Sequence, residues 1–203
     1  MSSYKIGITG GIGSGKTIVC KVFEILGVPV YYADAQAKRL MNTEPELIAS
    51  ISEYFGNDIY EDKTLARKKL AEIVFNDPAA LKKLNSLVHP AVARDFEYWR
   101  SQQTSLYVLE EAAIIFESAI AHRFDRVILV TAPDDIRIKR VCARDNTTPD
   151  EAQKRMKNQL PEKTKITLAD YIIYNDNIRM ITPQVMEIHN SLIMQMQKQM
   201  QPR

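Results

Sequence analysis

The stretch GITGGIGSGKT, residues 7–17, decides the fold. Gly10, Gly15, Lys16 and Thr17 satisfy the pattern G-x-x-x-x-G-K-[ST]. A glycine-rich loop turns sharply and brings successive backbone N–H groups toward one point. A helix that starts near Lys16 adds further free N–H groups and the positive end of its dipole. Lys16 has the reach for the β- and γ-phosphate oxygens of a nucleotide, and the Thr17 hydroxyl suits Mg2+. Gly11, Ile12, Gly13, Ser14, Gly15, Lys16, Thr17 and Ile18 are therefore the expected phosphate ligands, with the N–H groups of Gly13, Ser14, Gly15 and Ile18 completing the cradle. The flanks agree. Tyr4 to Thr9 is β-prone, and from Lys16 the apolar spacing turns helical, with Val19, Val22, Phe23 and Leu26 on one face and Gly27 to end it. VPVYYAD, residues 28–34, reads as a second buried strand, so the chain opens with a βαβ unit.

Downstream the character changes. Residues 35–104 read as almost wholly helical. Pro45 suits the first turn of a helix carrying Leu47, Ile48, Ile51 and Phe55, with Gly56 after it. Thr64 is a candidate cap for a helix carrying Leu70, Ile73 and Val74. Asp77-Pro78 opens a third helix, which His89-Pro90 should end or kink, and a polar helix follows from Asp95 to Gln103. A parallel sheet does not need so many helices in a row, so residues 37–104 are expected to be an inserted helical subdomain that holds an acceptor. Strand-like stretches return at 105–112, 126–132 and 170–176, alternating with helices. The last helix, from about Pro183, places Val185, Ile188, Leu192 and Met196 on one side, and the methionines at 194, 196 and 200 read as packing or terminus. The expected fold is α/β: a P-loop NTPase-type parallel sheet of about five strands flanked by helices, with the helical insert and a helical lid at 137–160.

Composition narrows the partners. The chain has 203 residues, 45% hydrophobic and 26% charged, enough for a sizeable core in one domain. A net charge of +2 argues against a nucleic-acid binder. No apolar run approaches membrane-spanning length, and the β-prone start leaves no room for a signal peptide, so a cytoplasmic protein is expected. Cys20 and Cys142 lie in helical patterns among apolar neighbours and read as buried thiols, not as a disulfide framework or zinc site.

A bound nucleotide can be used for transfer, hydrolysis or switching. The chain has no Asn-Lys-x-Asp segment to read guanine. YVLEE puts Glu110 and Glu111 where hydrolysing enzymes carry a strand-ending acid, which leaves hydrolysis open. Asp34 ends the strand VPVYYAD, and strand C-termini face the ligand crevice in an open parallel sheet. A carboxylate there can accept or orient the proton of an attacking hydroxyl; the competing reading is a cap for the next helix. Arg137, Arg140 and Arg144 recur at helical spacing, so one basic face can close over the nucleotide and set a guanidinium on the transferring phosphoryl group. Asp145, Asp150 and Glu151 could instead pair with that face.

With these elements in order, the chain resembles the dephospho-coenzyme A kinase family over nearly its whole length. IGITGGIGSGKT followed by LGVPVYYAD is similar to that family's start; LARKKLAEIVFND resembles its helical-insert segment and LNSLVHPAV its His-Pro element; AAIIFES, KRVCARDN…RMKNQ and ADYIIYND resemble its Pro-Leu-Leu-Phe-Glu stretch, its lid, and its last strand with an Asn-bearing turn. Ala113 stands where the family usually has proline, Thr17 replaces the commoner serine, and YYAD lacks the first Asp of Asp-Ala-Asp. The resemblance implies ATP-dependent phosphorylation of the 3′-hydroxyl of dephospho-coenzyme A. It implies Asp34 as base or orienting group, and Lys16, Arg140 and Arg144 on phosphoryl charge. It further implies Thr17 on Mg2+, Arg67 and His89 toward the acceptor, and Asn175 toward the adenine of ATP. A P-loop kinase for another small acceptor, such as a nucleoside monophosphate, and a regulatory NTPase remain the alternatives.

Overall fold

A computed structural model describes residues 3–200. Its larger body is a five-stranded parallel sheet in the order β2-β5-β1-β6-β7. These strands are β1 (Tyr4–Thr9), β2 (Val30–Tyr32), β5 (Tyr107–Glu111), β6 (Arg126–Thr131) and β7 (Tyr171–Tyr174). β1 pairs in parallel with β5 on one side and β6 on the other. The central strands are apolar on both faces: Ile6, Ile8, Val108, Leu109, Ile128 and Leu129 are fully buried. Such two-sided burial is what a parallel sheet covered by helices requires. The chain order steps from β1 out to β2, back to β5 and across to β6, so the connections diverge around β1 and open a crevice at its C-terminal end. The phosphate loop occupies that end.

Helices of this body are α1 (Lys16–Ile25), α6 (Asp134–Asp145), α7 (Pro149–Lys157), α8 (Glu162–Leu168) and α9 (Ile181–Met200). α1 buries Val19, Cys20 and Phe23 and packs on β5 and α9. α9 buries Val185, Ile188, Leu192 and Met196, the stripe expected from the sequence, while Met194 is exposed and the side chain of Met200 lies outside the described residues. The basic segment is two helices. α6 closes on Asn146 in the left-handed conformation, and α7 starts on a capping box in which Thr148 accepts from the Glu151 N–H and Glu151 accepts from the Thr148 N–H. Among the described residues, no helix is long and apolar enough to cross a membrane.

The chain divides into two compact units, Met1–Tyr31 with Gln102–Arg203, and Tyr32–Ser101. The second contains α2 (Ala33–Thr43), α3 (Pro45–Phe55), the hairpin β3 (Tyr60–Glu61) and β4 (Thr64–Leu65), α4 (Arg67–Asn76) and α5 (Pro78–Ser101). α5 packs against α2, α3 and α4, burying Ala80, Val88, Ala91, Val92 and Phe96. Arg39 to Asp95 and Arg94 to Glu44 tie its flanks.

Three local expectations are corrected here. The insert is almost wholly helical but holds one short hairpin: Asp62 and Lys63 both take positive φ, a two-residue turn that pairs β3 with β4. Thr64 therefore sits in a strand, where a β-branched residue packs well, and α4 starts at Arg67 without a side-chain cap. Pro90 does not end its helix, and one helix of 24 residues runs through it. Both Pro90 and Ser86, the residue four back whose carbonyl loses its donor, are exposed, so the lost bond falls on the solvent side while the buried face continues. The third concerns Cys142, which is half-buried where a buried thiol was expected. Cys20 is buried, and its thiol is pushed up to about 12, mainly by burial and then by the Glu111 charge.

Candidate active site

The loop from Gly10 to Gly15 links β1 to α1. Gly13 and Gly15 hold φ of 79° and 89°, a region costly for any side chain. At Gly15 a Cβ would also collide with the Asn175 amide, and at Gly13 with the Arg137 carbonyl. The loop's N–H groups then divide. Ser14 N–H donates to the Gly11 carbonyl (3.0 Å) and Ile18 N–H to the Gly15 carbonyl (3.1 Å). Ile12 N–H donates to Gln159 Oε1 at 2.9 Å. Among the described residues, the N–H groups of Gly13, Gly15, Lys16 and Thr17 have no protein partner. Within the expected cradle of Gly13, Ser14, Gly15 and Ile18, Ser14 and Ile18 direct their donors inside the loop and the first helical turn. Lys16 folds over the loop, donating to the Gly10 carbonyl at 3.0 Å and lying 3.7 Å from Glu111 Oε1. The Thr17 side chain is exposed one residue further on.

The three arginines expected on one face separate. Arg137 is 3% exposed. It donates to the Ile12 carbonyl at 3.0 Å and pairs with Glu162 at 3.2 Å and Asp134 at 3.3 Å. Arg140 lies beside the loop: Nη1 is 3.4 Å from the Gly13 and Ser14 carbonyl oxygens, and Nη2 donates to the Asn175 and Asn177 side chains. Arg144 is exposed and bonded to Asp145, which also holds Arg155. Asn175 is 6% exposed and donates to the Ser14 carbonyl at 2.8 Å. Glu110, next to Glu111 on β5, turns the other way, toward Arg123 at 3.9 Å.

The remaining candidates belong to the smaller unit. Asp34 is not at a strand end; it is the second residue of α2, exposed, in a first turn whose cap makes no side-chain hydrogen bond. Arg67 opens α4 and lines a cleft of about 730 Å³ with Asn42, Lys63, Lys68 and Lys69. His89 is half-buried within α5. Sequence reasoning missed Gln159 and the burial of Arg137. Gln159 had a faint signal as the last residue of the RMKNQ stretch, but its partner is in the loop 147 residues away.

Comparison with known proteins accords with this geometry. The family model described as dephospho-CoA kinase matches residues 4–180. A dephospho-CoA kinase of Bacteroides fragilis is 33% identical over 187 residues, covering 92% of this chain and 91% of its own. The crystal structure of TT1252 from Thermus thermophilus superposes with a TM-score of 0.82 at 30% identity, covering 96% of this chain and 98% of that one. A dephospho-CoA kinase from Campylobacter jejuni gives a TM-score of 0.67 at 25% identity over 93% and 96%.

Proposed function

The chain belongs to the dephospho-CoA kinase family, and from that membership we propose that it transfers the γ-phosphoryl group of ATP to the 3′-hydroxyl of dephospho-coenzyme A, giving coenzyme A and ADP. The observation that carries the reading is the conjunction of a family match across nearly the whole chain with a glycine loop in which, among the described residues, the N–H groups of Gly13, Gly15, Lys16 and Thr17 have no protein partner.

Phosphoryl transfer asks a protein mainly for positioning and for charge at the transferring group. In the proposed mechanism the N–H groups of Gly13, Gly15, Lys16 and Thr17 take phosphate oxygens. Lys16 exchanges the Gly10 carbonyl for the β- and γ-phosphates. Arg140, anchored beside the loop, stabilises charge on the transferring group; Arg144 belongs to the same basic segment. Asn175 supports the ATP side through the Ser14 carbonyl, beside the loop from which it would approach the adenine. Asp34 accepts or orients the proton of the attacking hydroxyl. Arg67, in its basic cleft, suits the anionic acceptor, with His89 as the second acceptor residue of the unit Tyr32–Ser101. The segment 137–160 is the proposed lid, and a cytoplasmic setting fits both substrates.

Mg2+ is the proposed metal. The Thr17 hydroxyl at the start of α1 fits a hard cation, whose remaining ligands would come largely from nucleotide phosphates and water. When bound, it would neutralise charge building on the β- and γ-oxygens.

The test is mass spectrometry of products from the purified chain with ATP and Mg2+, supplied with dephospho-coenzyme A, a nucleoside monophosphate, or no acceptor. Coenzyme A is expected only in the first reaction. ADP formed equally in all three would mean transfer to water and would end the kinase reading.

A further inference from the structure

Two side chains grip the phosphate loop on either side of Ile12. The Gly11–Ile12 peptide donates its N–H to Gln159 Oε1 (2.9 Å), while its carbonyl accepts from Ser14 N–H (3.0 Å). The Ile12–Gly13 peptide offers its carbonyl to Arg137 Nε (3.0 Å). In a trans peptide the N–H points opposite the carbonyl. With three of these four groups held by protein, the fourth, the Gly13 N–H, is turned to the side away from Arg137 and left without a protein partner among the described residues.

The grips are themselves fixed. Arg137 is buried between Glu162 and Asp134. Gln159 is followed by Leu160, whose N–H donates to Glu117 Oε1 at 3.2 Å. The same oxygen is 3.0 Å from Nζ of Lys165, which is 1% exposed. A buried pair of this kind is costly unless its geometry is held, so Glu117 and Lys165 fix where the chain turns after α7 and where Gln159 starts from. Gly11 completes the fit, because a Cβ there would overlap the Arg137 guanidinium.

We propose that Gln159, acting with Arg137, is a positioning residue for nucleotide binding: the two side chains set the peptide planes around Ile12 so that the Gly13 N–H meets the phosphate. The inference rests on the nucleotide part of the proposed function. It also ties the segment after α7 to the loop's shape without placing Gln159 in contact with substrate.

Calorimetry of Mg·ADP binding tests it in the full chain, with thermal unfolding in parallel. Gln159→Met keeps length and removes the acceptor oxygen; Gln159→Glu restores an acceptor. Gln159 is half-buried at a helix end, so both variants should fold. The expected result is Mg·ADP binding roughly fivefold weaker in Gln159→Met, the worth of one neutral hydrogen bond, with Gln159→Glu binding more tightly than Gln159→Met. Unchanged affinity with a lower Tm would make Gln159 a stabilising residue only and overturn the proposal. Equal weakening in both variants would overturn it too, since the acceptor oxygen would not matter. A wild-type chain that binds no Mg·ADP would sink the nucleotide reading and this inference together. A chain that binds Mg·ADP but makes no coenzyme A would sink only the acceptor assignment.

Discussion

Asp34 shows how one residue reads differently in sequence and in space. In VPVYYAD it looks like the end of a strand; in the structure it is the second residue of α2, in a first turn that also gains from a negative charge near the helix dipole. Asp34 is exposed there, so its carboxylate stays accessible to a ligand. Asp34→Asn is therefore expected to lower kcat by about 10²–10⁴, the range for losing a general base, with Tm nearly unchanged. A near-normal kcat with a lowered Tm would return Asp34 to a helix-end role. Lys16, Thr17 and the glycines were legible because phosphate recognition dictates their spacing within eight residues of chain. Arg140 was legible as a basic residue on a helix, but its neighbours Gly13, Ser14, Asn175 and Asn177 come from two distant segments. The same distance hid Arg137: helical spacing groups it with Arg140 and Arg144, and only packing reveals that it points inward to Ile12 while Arg144 points out to Asp145.

Elements repeat the lesson with different physics. Helices with one apolar face, such as α1, α3 and α9, were visible in the sequence because burial enforces their period. The hairpin β3–β4 was not, since each strand has two residues and its signal is backbone conformation at Asp62 and Lys63. The continuity of α5 through Pro90 depends on which side of the helix meets water, which a dipeptide does not encode. The start of α7 is the local case: Thr148-x-x-Glu151 is a capping box in sequence and in space. Thr148→Ala is expected to cost about 1 kcal/mol at neutral pH, read as a Tm drop of roughly 2–4 °C for a chain of this size. The pH dependence follows from Glu151, whose carboxyl is held below its ordinary value by the Thr147 hydroxyl and then the Thr148 N–H. A carboxyl lowered in the folded state contributes stability above its unfolded pKa and loses it as pH falls through the folded value. The penalty of Thr148→Ala should thus shrink in acid; a penalty independent of pH would mean Thr148 and Glu151 do not act as a box.

At the scale of the whole molecule the chain is two units with separate candidate chemistry, phosphate-binding residues in Met1–Tyr31 with Gln102–Arg203 and acceptor residues in Tyr32–Ser101. The division bears on how ligands should stabilise the protein. A ligand that binds only the folded state adds RT ln(1 + [L]/Kd), about 2.7 kcal/mol at a hundredfold excess over Kd. For a chain of this length that corresponds to a rise of very roughly 5–10 °C in Tm. Mg·ADP should raise Tm in the wild type and in Arg67→Ala, because Arg67 lies in the basic cleft of the smaller unit and not in the phosphate loop. The rise should largely vanish in Lys16→Ala, whose side chain crosses the loop mouth to the Gly10 carbonyl. Dephospho-coenzyme A should show the opposite preference, stabilising Lys16→Ala more than Arg67→Ala. These five shifts, measured by scanning calorimetry at fixed ligand excess, decide whether the division of labour is real. If Arg67→Ala loses the Mg·ADP shift while keeping the dephospho-coenzyme A shift, the basic cleft serves the nucleotide, and the acceptor must be sought elsewhere in the molecule.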